Sequence, residues 1–504
     1  MSESAPIQLF AKQQKIYPKR VWGRYRKIKW LVMIVTLGIY YFAPFLRWDR
    51  GANAPDQAIL IDMPNRRAYF FFIEIWPQEV YYLTGILILA AVALFCVTSL
   101  AGRVWCGYFC FQTVWTDLFV WVERLVQGDR NARKKLDESR WSFTKLRKKA
   151  LTHVIWLLIG LCTGGAWVFY FNDAPTLFEQ IMHFDVPMSV MWWIIAFTFT
   201  TYLMAGFARE QVCTYMCPYA RFQSAMFDRD TLIIGYDAQR GEPRGKGKRT
   251  SPSHAWLRHH ETRSEDRASL EPVSLHEQEA SAGNNRKIGD CIDCSLCVQV
   301  CPMGIDIRDG LQYECIACGL CIDACNSVMD KIDLPRGLIR YDTTTNQEAR
   351  DAGAPVASSW SHILRPRTFY YAAIMALVGG IMLYSLLTRS PLELHILHDR
   401  NPLYVLLSDG SIRNGYDVKI LNKTHEDKTY TLTLDGIENA TLTIQGAGHL
   451  SPDALPVFAD SIGHFRLFIT ASKPAGGRHT ITLRITDRDT QLSHERKSLF
   501  VSDQ

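Results

Sequence analysis

The densest chemistry in this chain lies in two cysteine runs. The first is Cys291-Ile-Asp-Cys294-Ser-Leu-Cys297-Val-Gln-Val-Cys301-Pro302, and the second is Cys315-Ile-Ala-Cys318-Gly-Leu-Cys321-Ile-Asp-Ala-Cys325. Each reads C-x2-C-x2-C-x3-C, a spacing suited to a pair of four-iron cubes. Three closely spaced thiolates wrap one cube, and the fourth crosses to the other. The expected ligand sets are therefore Cys291, Cys294, Cys297 and Cys325 for one 4Fe-4S cluster, and Cys315, Cys318, Cys321 and Cys301 for the second. Gly304 and Gly319 suit a close backbone approach, from which amides can donate to sulfur and tune the potential. C-x2-C pairs also hold structural zinc, but eight cysteines in two matching runs favour iron–sulfur chemistry. The runs differ at one point: Pro302 follows Cys301, whereas Asn326 follows Cys325. Proline stiffens the turn and does not ligate, so the expected effect is at most a shifted potential.

A second cysteine group is repeated. Arg103-Val-Trp-Cys106-Gly-Tyr-Phe-Cys110-Phe-Gln and Arg209-Glu-Gln-Val-Cys213-Thr-Tyr-Met-Cys217-Pro218 both place an arginine before C-x3-C, with Phe-Gln beyond it. On a helix, residues i and i+4 share a face, so each pair can present two sulfurs together. If the two copies pack as a pseudo-repeat, four thiols converge. Soft thiolates are preferred ligands of Cu(I), and the neighbouring arginines are expected to favour the ionised form. Cys106, Cys110, Cys213 and Cys217 are accordingly the candidate catalytic and copper-binding residues. The plainer reading is four inert buried thiols. Cys96 and Cys162 have no partner in sequence and read as packing residues. Met182, His183, Met188 and Met191 could capture copper or simply pack at an interface.

These groups must be positioned by membrane spans. Five blocks are long and apolar enough to cross a bilayer: 30–46, 81–101, 151–171, 187–207 and 369–387. Residues 1–29 carry Lys12, Lys15, Lys19, Arg20, Arg24, Arg26, Lys27 and Lys29 against Glu3. The stretch between the second and third blocks is also basic, whereas 172–186 has three acids and no Lys or Arg. The alternation predicts a cytoplasmic N-terminus and a periplasmic C-terminus. The basic start is too weakly apolar for a cleaved signal, so the first block reads as an anchor. None of the 14 cysteines falls in 47–80, 172–186 or 388–504, the segments assigned to the oxidising side.

Between the fourth and fifth blocks, 208–368 forms a cytoplasmic insert containing a ferredoxin-type α+β domain at about 285–335 and a polar linker over 237–287. Residues 391–504 alternate apolar and polar at YTLTL (430–434), TLTI (441–444), FRLFIT (465–470) and TITLRIT (480–486), separated by turn-rich DGSIRNG (409–415) and KPAGG (473–477). Short strands at this spacing predict an all-β Ig-like sandwich. The expected fold is thus a multi-domain membrane protein: an α-helical bundle of about five spans, a two-cluster ferredoxin domain and a C-terminal β-sandwich. With 56 Lys+Arg against 50 Asp+Glu and 48% apolar residues, the composition excludes a disordered chain and gives no support for a nucleic-acid partner.

The double cluster motif, the paired C-x3-C segments, YDAQRGEPRGKGKR (236–249) and the β-domain behind a fifth span together resemble the CcoG/FixG/RdxA family. These are cytochrome c oxidase accessory proteins of bacterial inner membranes. The resemblance covers nearly the whole chain and implies electron delivery for maturation of cbb-type haem–copper oxidases, with Cu(II) reduced to Cu(I). It implies copper contact at Cys106, Cys110, Cys213 and Cys217, clusters at the eight ferredoxin cysteines, a cytosolic or quinol electron donor, and a copper chaperone or oxidase subunit as acceptor. Phe111 stands after the first pair where Pro218 follows the second, which puts the equivalence of the two pairs in question. Two other activities fit the same parts. One is a NapH-like quinol dehydrogenase feeding a periplasmic reductase, and the other is a non-catalytic oxidase assembly scaffold. The absence of C-x2-C-H and of G-x-G-x-x-G beside the clusters gives no support for covalent haem or a bound nucleotide.

Overall fold

The computed structural model describes residues 15–51, 54–246, 288–356, 363–445, 451–472 and 477–502. The linker expected over 237–287 lies outside them from residue 247 onward, as does most of the 473–477 turn. The chain divides into two compact units: Met1–Pro44, Leu60–Arg67 and Ile75–Gly379 form one, and Phe45–Ile59, Ala68–Glu74 and Gly380–Gln504 the other.

The described residues contain five helical stretches able by length and composition to cross a bilayer: Arg24–Phe45, Pro77–Ala101, Phe143–Phe169, Met188–Met216 and Pro366–Leu387. Leu31, Ile34, Leu87, Leu158, Phe199 and Leu377 are all exposed on their flanks. Apolar surface on this scale is stable only against lipid, where helices satisfy their own backbone. The chain is a multi-pass membrane protein.

The helices are α1 (Arg24–Phe42), α2 (Tyr81–Ala101), α3 (Val104–Tyr108), α4 (Phe111–Gln127), α5 (Arg130–Glu138), α6 (Phe143–Phe169), α7 (Ala174–Met182) and α8 (Met188–Leu203). Two begin earlier than hydropathy suggests. α1 starts at Arg24 rather than near Trp30, because Arg26 and Lys29 are buried against Asp117. α6 starts at Phe143 rather than Leu151, with Ser142 accepting from the Lys145 amide as an N-cap. Beyond α8, two π-helical turns, Met204–Ala208 and Val212–Met216, flank Arg209. α6 and α8 approach closely through small residues: a Cβ on Gly164 would lie 2.6 Å from the Ile194 carbonyl oxygen.

Past α9 (Pro218–Ala225), strand Ile233–Tyr236 pairs antiparallel with Ile339–Asp342, with Ile233 opposite Asp342 and Tyr236 opposite Ile339. This ribbon closes the ferredoxin unit, whose helices are α10 (Leu296–Val300) and α11 (Leu320–Met329). The single membrane helix before the β-domain is α12 (Pro366–Leu387), and none of its residues is buried.

The second unit holds an all-β sandwich. One sheet contains Thr441–Gln445, Ser461–Ala471, Ile412–Asn422 and Leu392–His398 in that order, with Val405–Leu406 paired to Ile412–Asn422. The other contains Leu455–Val457, Lys428–Asp435, Arg478–Asp487 and Ser493–Val501. Inward residues such as Tyr416, Ile420, Leu432, Leu467, Leu483 and Phe500 form its core. The four segments expected as strands are strands. DGSIRNG, expected as turn, is not wholly one: Ile412–Gly415 opens a central strand. Its Asn414 side chain donates to the Val501 carbonyl (2.9 Å) and accepts from the Val501 amide (3.0 Å). A fully buried asparagine thus joins the two sheets, and tertiary contacts override the local turn preference.

Candidate metal centres

The two ferredoxin runs fold alike. In each C-x2-C-x2-C, the residue before the second cysteine and the residue after it have positive φ: Asp293 and Ser295 in the first run, Ala317 and Gly319 in the second. Left-handed positions curl the chain around a point, at a modest cost for the non-glycine residues. Gly319 has a second reason to be glycine, since a Cβ there would meet Tyr25 Cγ at 2.7 Å. Cys291, Cys294, Cys297 and Cys325 line one cavity together with Arg308, Met329 and Ile339. Cys301, Cys315, Cys318 and Cys321 are electrostatic neighbours of one another. Backbone amides do face the sulfurs, from residues near the two expected glycines: Met303 and Ile305 face Cys301, and Ala317 faces Cys315.

Burial pushes the Cys297 and Cys315 thiols up to about 11, and those of Cys301 and Cys325 up to about 12. Such thiols ionise only when a cation replaces the proton. Two sets of four converging, desolvated thiols with inward amides are a donor set that fits 4Fe-4S clusters. The Asn326 departure has a structural reason. α11 continues past Cys325 to Met329, and the Asn326 side chain accepts from the Gly337 amide at 3.0 Å. After Cys301 the chain leaves α10 instead, so proline is tolerated at 302.

The four other thiols are brought together, but not as two helical i/i+4 pairs. Cys106 lies in α3, and Cys110 is the residue before α4. Cys213 lies in the second π turn, and Cys217 is the residue before α9. Each pair therefore straddles a helix break, with its second cysteine at an N-cap and extended in ψ. Phe111 and Pro218 both occupy the first turn position after that cap. Proline is favourable there but not required, so the cap positions of Cys110 and Cys217 correspond despite Phe111, although Cys106 lies in an α-helix and Cys213 in a π turn. Cys213 interacts with Cys110, Cys106 and Cys217, which puts the four sulfurs in one neighbourhood. Among the described residues, no three His, Cys, Asp or Glu side chains stand close enough to hold a single ion. The same holds of the eight ferredoxin cysteines, so this spacing does not set the four thiols apart from them.

The repeated Phe-Gln locks the two copies together crosswise. Gln223, fully buried, accepts from Arg103 Nε at 3.2 Å and from the Cys106 Sγ at 3.1 Å. Gln112 Nε2 donates to the Arg209 carbonyl at 3.2 Å and the Met204 carbonyl at 2.9 Å. Each glutamine reaches the other copy's arginine. Arg103 does not carry the Cys106 thiol into its ionised form: burial pushes that thiol up to about 11, outweighing the nearby guanidinium.

Buried ion pairs frame the site. Glu123 accepts from Arg209 Nη2 at 2.7 Å and Arg133 Nη1 at 2.9 Å, and Asp117 accepts from Arg26 Nη1 at 2.8 Å. Burial opposes both carboxylates, but the adjacent cations prevail and hold them below the usual range. Arg209 sits at φ +23° between the two π turns, a strained conformation that its bidentate grip on Glu123 maintains. The other sequence candidates do not join the group. Cys162 is exposed along α6, so it is not a packing residue within the chain, and Met182, His183 and Met188 are exposed.

Comparisons agree with this architecture. Residues 208–270 and 257–344 match a 4Fe-4S dicluster domain, 83–129 a 4Fe-4S binding domain, and 382–503 the Ig-like fold at the C-terminus of FixG. The chain is 46% identical over 490 residues to nitrogen fixation protein FixG of Rhizobium meliloti, covering 92% of this chain and 88% of that protein. It is 48% identical over 483 residues to protein RdxB of Cereibacter sphaeroides, covering 95% and 94%. Protein RdxA of the same organism is 44% identical over 483 residues, covering 95% of each. With its paired cluster sites, multi-pass helices and terminal β-sandwich, this chain belongs to the FixG/RdxA family of membrane-bound iron–sulfur redox proteins.

Proposed function

We propose that this oxidoreductase reduces Cu(II) to Cu(I) at Cys106, Cys110, Cys213 and Cys217, for assembly of a cbb-type haem–copper oxidase in a bacterial inner membrane. The observation that carries the reading is the gathering of four thiols from two repeats directly beside a ferredoxin fold. When bound, the two clusters supply one-electron carriage. The electron comes from a cytosolic donor or a quinol and converts Cu(II) to Cu(I), with no bond to substrate carbon made or broken.

The chain's own residues supply the rest. Thiol sulfurs are soft and favour the cuprous product. Since the buried Cys106 holds its proton strongly, copper binding there releases a proton. Gln223 and Arg103 fix Cys106 from behind, while Arg209 holds the π turn that carries Cys213. The charge alternation supports a cytoplasmic N-terminus and periplasmic β-domain, and that domain is the docking module for a copper chaperone or oxidase subunit. The decisive experiment measures Cu(II) reduction by purified protein with all four cysteines intact and all four changed to serine. An unchanged rate in the quadruple variant removes this site from the reaction.

A second reading rests on the match of residues 83–129, which contain Cys106 and Cys110, to a 4Fe-4S binding domain. In it the four thiols hold a third cluster. Iron and sulfide counts separate the two readings, since the quadruple variant loses about four iron atoms per chain only if a third cube is present.

A further inference from the structure

The two ferredoxin sites are not equivalent with respect to the four-thiol group. The segment Arg103–Tyr108, which carries Cys106, lies directly on the chain around Cys315 and Cys318. Arg103 Nη1 donates to the Tyr313 carbonyl at 2.5 Å, and the Tyr108 hydroxyl donates to the Cys318 carbonyl at 2.9 Å. Between them Gly107 leaves no room for a side chain: a Cβ would lie 2.6 Å from the Ile316 oxygen and 3.1 Å from the Ala317 oxygen and the Cys318 Cα. Cys106 and Cys318 consequently share one buried apolar cluster with Ile316, Leu320, Val300 and Ala324. The other ferredoxin site has a different lining, which shares only Leu296 with that cluster's surroundings. Around Cys291, Cys294, Cys297 and Cys325 stand Tyr236, Leu296, Arg308, Val328 and Leu338, with no residue from α3 or the π turns.

We infer that Gly107 and Tyr108 are positioning residues that make Cys301, Cys315, Cys318 and Cys321 the inner ferredoxin site, the one that senses occupancy of the four thiols, and leave Cys291, Cys294, Cys297 and Cys325 as the outer site. Two physical effects point the same way. Electrostatic influence falls with distance and is stronger across a buried contact, and the residues packed with Cys106 and Cys318 are buried and apolar. Backbone contact passes displacement as well: the Cys318 carbonyl is tied to Tyr108, so movement of the α3 turn on metal binding reaches the peptide next to a cluster ligand. Among the described residues, no hydrogen bond from α3 or the π turns reaches Cys294. The inference rests on the proposal that a soft metal binds the four thiols.

The test uses the full-length, iron-loaded protein in detergent and an EPR-monitored redox titration that follows two signals. Cys294→Ser and Cys318→Ser assign the signals, each altering one. Cu(I) is then added, with its binding measured separately by equilibrium dialysis. The expected result is displacement of the midpoint of the Cys318-assigned signal alone. Tyr108→Phe, which removes the hydroxyl's bonds to the Cys318 carbonyl and to Tyr341 with little change in packing volume, displaces that same midpoint in the absence of copper, and Gly107→Ala does so more strongly. The inference is overturned if either variant moves both midpoints equally, or neither. If Cu(I) fails to bind, the copper proposal falls, while the copper-free titrations of Tyr108→Phe and Gly107→Ala still decide the inner and outer assignment.

Discussion

Glu123→Gln is the sharpest test of how the thiol group is held in place. The carboxylate lies between two guanidiniums, with contacts of 2.7 and 3.2 Å to Arg209 and 2.9 Å to Arg133. Side-chain exposure is 4% for Glu123, 9% for Arg209 and 2% for Arg133, so solvent screens none of the three appreciably. Glutamine keeps the volume but presents an amide N–H₂ to one of two donors and leaves both cations without a counter-charge. Breaking a buried pair by neutralising one partner costs about 3–5 kcal/mol. A second consequence is local. Arg209 loses the grip that holds its φ of +23°, so the following π turn relaxes and Cys213 shifts. The assay is reversible unfolding in detergent together with the alkylation rate of Cys213 in a variant lacking the other three membrane-surface cysteines. Partial rescue by Glu123→Gln with Arg209→Met is expected, because the unpaired cation is removed. A loss below about 1 kcal/mol with unchanged Cys213 reactivity refutes the reasoning, since that is what an exposed pair would give.

Three further outcomes follow from the same structure. Asn326→Pro should cost about 3 kcal/mol or more, because α11 runs from Leu320 to Met329 and the ring would clash with the Ile322 carbonyl; the unfolding midpoint checks it. Asp117 and Glu123 have depressed folded pKa values, so their stability contribution is complete above the ordinary carboxylate range of about 4 and is lost as pH falls through the folded values. Thermal midpoints should be flat between about pH 7 and 5 and fall steeply below about 4. Loading iron and sulfide into the apo ferredoxin sites should release protons, because Cys297, Cys301, Cys315 and Cys325 are held as thiols by burial; a pH-stat records the release, and its absence contradicts the raised values.

The sequence carried the parts whose information is local. The spacings of the eight ferredoxin cysteines encode their own geometry, long apolar blocks encode spans, and period-two runs such as TITLRIT encode strands. The residues that assemble the site were less legible because their partners are distant in the chain. Gln223 meets Arg103 and Cys106 across more than a hundred residues, and Glu123 reaches Arg209 across 86. The repeated Phe-Gln was a visible trace of the first contact, but only packing of the two copies gives it meaning. Asn414 misled for a related reason. Asparagine before glycine favours a turn locally, yet its side chain binds Val501 in the opposite sheet. Helix breaks at Cys110 and Cys217 were hidden by the i/i+4 spacing, which a continuous helix would have satisfied as well.

The most direct test of the account is a single-turnover reaction. Anaerobic protein with its clusters reduced by dithionite, freed of excess reductant, is mixed with one equivalent of Cu(II), and Cu(I) formation is followed by a cuprous chelator alongside loss of the reduced-cluster EPR signal. The account predicts that both occur together in the native protein and that neither occurs at a comparable rate when Cys106, Cys110, Cys213 and Cys217 are all serine while the eight ferredoxin thiols keep their iron. Equal Cu(I) formation in the two proteins would contradict it.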